Sequence, residues 1–349
     1  MGGERIVTAA VLIIGDEILS GRVAVDDYLR VEGVQDVFAY SLLDQTLSRV
    51  SVGAGGVEFT SPSGKPTVSG DGRVVAFETI RSNLGSNVAG SDNTTVVVRC
   101  DRSTGALAAI SRNLSGQATG GLVPSISEDG NRIAFWSFAS DLVAGDGNGL
   151  WDIFVADVSA GSMQRVSLTA AGGERNQGSE SSSRVVMPTI SGDGRWVAYA
   201  TTASNVVPGD TNGTQDVFVV DTQSGAVHRA SVATSGAQAD ADAPIAQGDR
   251  IGLSRDGVWV AFTSTAGNLG AATTTTGIGN VFLHNRVTGE TRSASKHTSA
   301  GSVGFAPALS RDGAYLVFGA STALDPRFPG SGQFVHFTGI TRAFYWLPD

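Results

Sequence analysis

At 349 residues the chain is long for one packed core, but a repeat architecture removes that limit because each copy adds its own core. Its 46 glycines against 10 prolines, without a collagen period, are typical of many short strands joined by tight turns. The formal net charge of −9 argues against nucleic acid as a partner, since an acidic chain repels phosphate. No apolar run is long enough to span a bilayer, and the single cysteine excludes an intrachain disulfide.

The first fifty residues predict one hairpin and a shorter apolar segment. Asp36 to Tyr40 and Arg49 to Ser51 form the predicted hairpin, because their Val, Phe, Arg and Ser stand at the same offsets as in Asp216 to Ser231. Arg5 to Leu12 is predicted to supply the earlier strands of the same structural copy, although no Asp-Gly turn follows it.

A turn motif, Ser-x-Asp-Gly, then recurs five times at intervals of 58, 64, 63 and 56 residues. Asp-Gly accommodates the positive φ angles of a tight hairpin, and the apolar segment after it reads as a strand. An aromatic residue stands six positions after each Asp. The Asp residues are Asp71, Asp129, Asp193, Asp256 and Asp312, and the aromatic residues are Phe77, Phe135, Tyr199, Phe262 and Phe318.

A second hairpin follows the turn motif by about 23 residues, as at Asp152 to Val155, Asp216 to Val219 and Asn280 to Leu283. Two hairpins make a four-stranded antiparallel sheet, and radial stacking of such sheets buries the apolar face that one sheet leaves exposed. The sequence therefore predicts an all-β, six-bladed β-propeller in one domain over residues 1–349. The approximate blades are 1–53, 66–113, 123–168, 187–233, 250–296 and 305–347.

The segment Pro188 to Asp221 resembles the WD40-like repeat of TolB-type propellers, and the likeness extends over nearly the whole sequence from Asp36 onward. The resemblance implies a six-bladed propeller that acts as an interaction platform, without a catalytic residue, and that is commonly exported in bacteria. The alpha/beta accessory domain of TolB has no counterpart here, so its role in an envelope complex does not carry over.

A second resemblance concerns Val7 to Arg22, which is similar to the opening strand and loop of the molybdopterin-binding domain of molybdenum-cofactor enzymes and competence-damage-inducible proteins. That domain needs a further glycine-rich phosphate loop and more than a hundred residues, whereas a propeller hairpin already begins at Asp36. On this resemblance, a molybdopterin-binding protein is one functional hypothesis for the sequence.

The loop between the two hairpins is the candidate metal site. Its pattern Asp-x-Asn-x-x-x-Asp places three oxygen-bearing side chains on one glycine-rich loop, as Ca²⁺ requires. Asp and Asn side chains also cap their own turns without any metal, and this interpretation is favoured because the distal Glu of a full calcium loop is missing. The candidate ligands are Asp146, Asn148 and Asp152 in one copy and Asp210, Asn212 and Asp216 in the next.

The sequence offers no catalytic constellation. None of the four histidines, His228, His284, His297 and His336, lies at metal-ligand spacing from another, and there is no nucleophile elbow or phosphate loop. We therefore predict a non-enzymatic monomer, periplasmic or extracellular, without a cofactor other than possible Ca²⁺, that binds a protein or peptide. The alternative from another class is a calcium-stabilised carbohydrate-binding or glycan-acting propeller.

Overall fold

The computed structural model shows short strands joined by turns. It describes residues 10–14, 35–41, 45–87, 93–177, 186–243, 250–270, 279–295, 304–320, 332–337 and 345–347. Within these ranges the helical segments are two short 3-10 turns, Ala54–Gly56 and Arg81–Asn87. No helix in the same ranges has the length and apolar character needed to cross a membrane.

The strands of the first compact unit, Met1–Gly149 with Ile153–Arg165, form three sheets in sequence order. The first sheet contains β1 (Ala10–Ile14), β2 (Val37–Ser41) and β3 (Leu47–Arg49). The second contains β4 (Ser63–Val68), β5 (Val74–Ile80), β6 (Thr95–Asp101) and β7 (Ala106–Ala109). The third contains β8 (Leu122–Ile126), β9 (Arg132–Ser137), β10 (Asp152–Asp157) and β11 (Ser162–Arg165).

The second compact unit, Leu150–Asp152 with Val166–Asp349, contains three further sheets. The fourth sheet has β12 (Thr189–Ile190), β13 (Trp196–Thr201), β14 (Asp216–Asp221) and β15 (Val227–Arg229). The fifth has β16 (Gly252–Leu253), β17 (Trp259–Ser264), β18 (Asn280–Asn285) and β19 (Thr291–Ser293). The sixth has β20 (Gly304–Leu309), β21 (Tyr315–Ala320), β22 (Gly332–Phe337) and β23 (Tyr345–Leu347).

The first sheet differs from the predicted four-stranded blade. A single strand, β1, is described near Arg5 to Leu12, and it pairs with β2 in parallel from Ala10 opposite Val37 to Ile14 opposite Ser41. Without an Asp-Gly turn the sequence lacks a tight hairpin here, and the long connection from Ile14 to Val37 allows the crossover that parallel pairing needs. The rest of Val7 to Arg22, which carries the molybdopterin-domain resemblance, lies outside the described residues.

The Ser-x-Asp-Gly motif forms the predicted hairpin turn between the first two strands of a sheet. In the second sheet the Ser69 hydroxyl donates to Asp71 Oδ1 at 2.6 Å, and the Asp71 carboxylate accepts the Arg73 N–H at 3.0 Å. The Ser69 Oγ also accepts the Val74 N–H at 2.9 Å. The hydrogen bonds that the Asp71 carboxylate accepts, led by that from Ser69, lower its pKa. The five copies share this arrangement because Ser and Asp satisfy the backbone of the turn.

The cores lie between sheets and are lined by the recurring aromatic residues. Phe77, Phe135, Tyr199, Phe262 and Phe318 are all fully buried. Where the third strand also carries Phe, the two rings pack within the sheet, with centroids 6.1 Å apart for Phe135 and Phe154 and 5.9 Å apart for Phe262 and Phe282. Each such ring removes a large apolar area from water.

These features confirm the predicted fold class. Five of the six described sheets have four antiparallel strands, and their strands follow one another in sequence order. Within each unit the first strands of consecutive sheets contact each other, as the innermost strands of propeller blades do. The fold is therefore all-β and of the propeller type, and the assignment of residues 1–349 to one domain stays a prediction.

Candidate functional site

The second to sixth sheets each have two chemically distinct ends. We call the end with the Ser-x-Asp-Gly turn the turn end, as at Ser191–Gly194 in the fourth sheet. We call the other end, where the second strand leads to the third, the loop end, as at residues 202–215. The predicted calcium ligands all lie at loop ends.

A serine after the fourth strand fixes the loop end of four sheets. That strand is β3 in the three-stranded first sheet. The serine hydroxyl donates to the side chain of the first residue of the preceding strand or just before it, and in three sheets its Oγ accepts the next backbone N–H. Asp and Asn at this position therefore complete backbone structure, which is the turn interpretation of these residues. The pairs are Ser51 with Asp36, Ser167 with Asp152, Ser231 with Asp216 and Ser295 with Asn280.

In the fourth sheet an arginine lies between the predicted calcium ligands. Arg229 Nη2 is 3.3 Å from Asp210 Oδ1, and Arg229 Nη1 is 3.6 Å from Asp216 Oδ2. The Asn212 Nδ2 amide donates a hydrogen bond to Asp216 Oδ2 at 3.1 Å. Asn212, a predicted ligand, therefore presents its N–H group and not its oxygen to that carboxylate. Burial raises the pKa of Asp216. As arranged, these groups fit an internal ion pair and not a hard cation, which needs converging oxygen atoms.

In the loop of the third sheet, an arginine likewise pairs with a predicted calcium ligand. Arg165 Nη1 donates to Asp146 Oδ1 at 2.6 Å, and both side chains are buried. Asn148 is half-buried on the same loop. In the described part of the protein, no group of three or more His, Cys, Asp or Glu residues is arranged to hold a metal ion. Calcium binding stays a prediction, and chelation tests it.

Asp152, the third predicted ligand of the loop that starts at Asp146, belongs to a fully buried cluster in the second unit. Arg175 Nη2 donates to Asp152 Oδ1 at 2.8 Å and to the Trp151 carbonyl at 2.9 Å, and neither charged side chain is exposed to solvent. The Arg175 guanidinium carbon lies 5.9 Å from the centroid of the Tyr199 ring. The Tyr199 hydroxyl is buried and has no hydrogen-bond partner among the described residues, and burial raises its pKa to about 12.

The described histidines do not form a catalytic pair. His284 is buried, its Nδ1 lies 2.9 Å from Thr291 Oγ1, and burial lowers its pKa to about 4. His228 is exposed, with its ring 6.2 Å from that of Trp196. The side chains of His297 and His336 lie outside the described set.

Two tryptophans of the second unit lie against the turn of the next sheet. A Cβ added at Gly257, in the turn of the fifth sheet, would lie 2.3 Å from Trp196 Cγ of the fourth sheet. A Cβ at Gly313, in the sixth sheet, would lie 2.8 Å from Trp259 Cδ1 of the fifth. Each of these two turn glycines therefore lies against the first residue of the second strand in the preceding sheet.

Two exposed apolar side chains lie at loop ends of the first unit. Leu114 is 69% exposed and Phe138 is 56% exposed. The segments that carry them are joined because the Leu114 N–H donates to the Asp141 carbonyl at 2.9 Å and Asn113 Nδ2 donates to Asp141 Oδ2 at 2.9 Å. We call Leu114 and Phe138 the apolar pair. The sequence analysis missed it, although the equivalent positions in other copies give a signal, with Ala170 and Thr234 at one and Thr202 and Thr265 at the other.

Comparison with known proteins gave matches among solved structures. No protein-family model matches the sequence, and no curated protein matches it. Among solved structures, TolB from Acinetobacter baumannii is 17% identical with a TM-score of 0.44, and the match covers 84% of this protein and 55% of TolB. The protein assigned as TolB from Agrobacterium tumefaciens is 15% identical with a TM-score of 0.46, over 86% of this protein and 83% of that one. The β-propeller domain of the Trilobed protease from Pyrococcus furiosus is 12% identical with a TM-score of 0.47, over 80% and 68%.

Proposed function

We propose that the protein is a non-enzymatic scaffold that binds a protein or peptide partner at the loop end of its sheets. The observation that carries this proposal is the apolar pair, because two large apolar side chains that are exposed on hydrogen-bonded segments are typical of interaction surfaces. The resemblance to TolB-type propellers supports the same role, and with it we propose a location in the periplasm or outside the cell.

The state of the titratable groups supports a binding role over catalysis. The loop-end carboxylates of Asp146, Asp152 and Asp210 are engaged by arginines, and His284 is held neutral in the core. Catalysis by acid, base or nucleophile needs a group that can reach substrate, and these side chains are already committed to internal partners. Their role is to keep the loops in one conformation, which lowers the entropic cost of binding.

The apolar pair is suited to a protein partner that contributes apolar side chains of its own. Fully burying a Leu or Phe side chain contributes about 1.5–3 kcal/mol each, so two such residues supply a useful part of a micromolar affinity. The Asn113 and Asp141 side chains beside them hydrogen-bond to each other, so they border the pair as an ordered polar rim.

Site-specific photocrosslinking tests this proposal in the cells that produce the protein. A benzophenone amino acid replaces Phe138 or Leu114, and the control replaces Val158, an exposed apolar residue (37%) at the turn end of the third sheet. We expect positions 114 and 138 to give one common adduct that position 158 does not give. The Leu114→Asp substitution should lower the adduct yield at position 138 at least about fivefold. Equal adducts from all three positions would show that exposure alone determines labelling, and the proposal would be wrong.

A further inference from the structure

Arg286 occupies a place in the repeat where a recurring polar pairing has been lost. At the turn end, the aspartate that ends the third strand bonds to the residue after Asp-Gly in the second, third and fourth sheets, as Asp221 does with Arg195 at 2.7 and 3.0 Å. In the fifth sheet these two positions hold Asn285 and Val258, and the arginine stands one residue later. A repeat that gives up an ion pair and adds a charge nearby departs from its structural pattern, and such departures concentrate at functional positions.

The guanidinium of Arg286 is held in a fixed plane. Its central carbon lies 3.4 Å from the centroid of the Trp196 ring, and its Nε donates to the Gly257 carbonyl at 3.0 Å. Among the described residues no carboxylate is in salt-bridge contact with it, and the Nη groups have no hydrogen-bond partner. Burial, the largest cause, lowers the pKa of Arg286, as expected for a cation with incomplete compensation.

Two aspartates that attract Arg286 electrostatically, Asp221 and Asp256, already accept hydrogen bonds from other groups. Asp221 accepts hydrogen bonds from Arg195, from the Gln223 N–H at 3.0 Å and from Ser224 Oγ at 2.9 Å. Asp256 accepts Ser254 Oγ at 2.7 Å and a backbone N–H at 3.0 Å in its turn. Neither carboxylate is free to turn toward Arg286 without breaking the turn or strand end that it supports.

We propose that Arg286, backed by Trp196, binds a carboxylate group of a peptide partner. The planar fork of two Nη groups matches the two oxygens of a carboxylate, and stacking on indole leaves that edge accessible. The aspartates in the vicinity, Asp193, Asp221 and Asp256, favour a monoanion over a doubly charged phosphate, because their repulsion grows with ligand charge. The carboxylate belongs either to the C-terminus of a peptide or to an Asp or Glu side chain.

This inference goes beyond the proposed function because it assigns ligand chemistry to a turn end, whereas the apolar pair lies at loop ends. The two proposals use different residues and different probes. Loss of crosslinking at Phe138 leaves the Arg286 site untouched, and loss of carboxylate binding leaves the crosslinks untouched.

The test is a titration of the full-length protein followed by NMR of the arginine Nε–Hε groups. The probes are N-acetyl-trialanine with a free C-terminus, its amidated form, amidated N-acetyl-Ala-Glu-Ala, and inorganic phosphate. The variants are Arg286→Gln and Arg286→Lys. The matched control is Arg102→Gln at the equivalent position of the second sheet, where the Arg102 guanidinium donates to the Gly72 carbonyl at 2.8 Å and to Ser48 Oγ at 3.4 Å.

We expect carboxylate peptides to shift the Arg286 resonance saturably and Arg286→Gln to weaken their binding about tenfold or more. Arg286→Lys should weaken it similarly while keeping the charge and the melting temperature, since lysine has no planar fork. The two carboxylate peptides distinguish a C-terminus from a side chain as the source. Binding unchanged in Arg286→Gln, loss of binding in Arg102→Gln, or tighter binding of phosphate than of carboxylate would each overturn the proposal.

Discussion

Replacing Gly257 with alanine should destabilise the protein far more than the same change at another left-handed glycine of the fifth sheet. Gly257 has φ +65°, and an added Cβ would lie 2.3, 2.4 and 2.7 Å from three atoms of Trp196. Gly289 has φ +74° with no atom within 4 Å of an added Cβ. The two substitutions therefore share the backbone strain and differ in the steric clash.

The magnitudes follow from these two terms. A left-handed conformation costs an alanine about 1–2 kcal/mol, which is the whole effect expected for Gly289→Ala. Overpacking adds about 1–3 kcal/mol, because the indole must move and the surrounding core has no room for it. We expect Gly257→Ala to lower the free energy of unfolding by roughly 2–5 kcal/mol.

Urea unfolding followed by circular dichroism measures both variants, and a double-mutant cycle identifies the clash. In a Trp196→Ala background, which removes the two nearest atoms, Cγ and Cδ1, the difference between the two alanine substitutions should shrink by at least about 1 kcal/mol. The reasoning is refuted if Gly257→Ala costs no more than Gly289→Ala, or if its cost is the same with alanine at position 196.

Three further outcomes are expected from buried groups and loops. Tyr199→Phe should raise the free energy of unfolding by about 1 kcal/mol, because it removes an unpaired buried hydroxyl; a large loss on urea unfolding would show that the hydroxyl is needed. The buried neutral His284 must take up a proton in acid, so between pH 6.5 and pH 4 stability should fall by roughly 3 kcal/mol more in the wild type than in His284→Val. An equal loss of stability in the wild type and in His284→Val over this pH range, measured by thermal unfolding, would contradict this. EDTA should leave the melting temperature within about 1 °C, since Arg229 already neutralises Asp210, and a clear drop that CaCl2 reverses would establish the calcium site.

The fold was predictable because its signals are local and repeated. Ser69 and Asp71 hydrogen-bond to the turn backbone between residues 69 and 74, and the glycine after Asp71 allows the turn. Each copy therefore specifies its own hairpin. The parallel pairing of β1 with β2 could not be predicted in the same way. It depends on a partner strand far along the sequence, and no short motif encodes such a pairing.

The candidate site was predictable only in part, because its charges are paired over longer distances. Arg229 stands two residues before Ser231, and Arg165 stands two residues before Ser167. This repeated spacing was a usable signal that the loop carboxylates face a cation from the fourth strand. Arg175 carries no such signal, because it lies in a linker after the third sheet and reaches Asp152 only through tertiary structure. Exposure of Phe138 likewise depends on what the fold leaves uncovered.

The contact between a turn glycine and the preceding sheet has an evolutionary consequence. The fifth sheet supplies both sides of this contact. Its turn glycine Gly257 lies against the fourth sheet, and its Trp259 side chain lies against the turn of the sixth sheet. Tandem duplication of the gene segment for one such copy would therefore create a new junction whose two surfaces already match. Head-to-tail complementarity of this kind lets a protein gain a copy in a single genetic step without first evolving an interface.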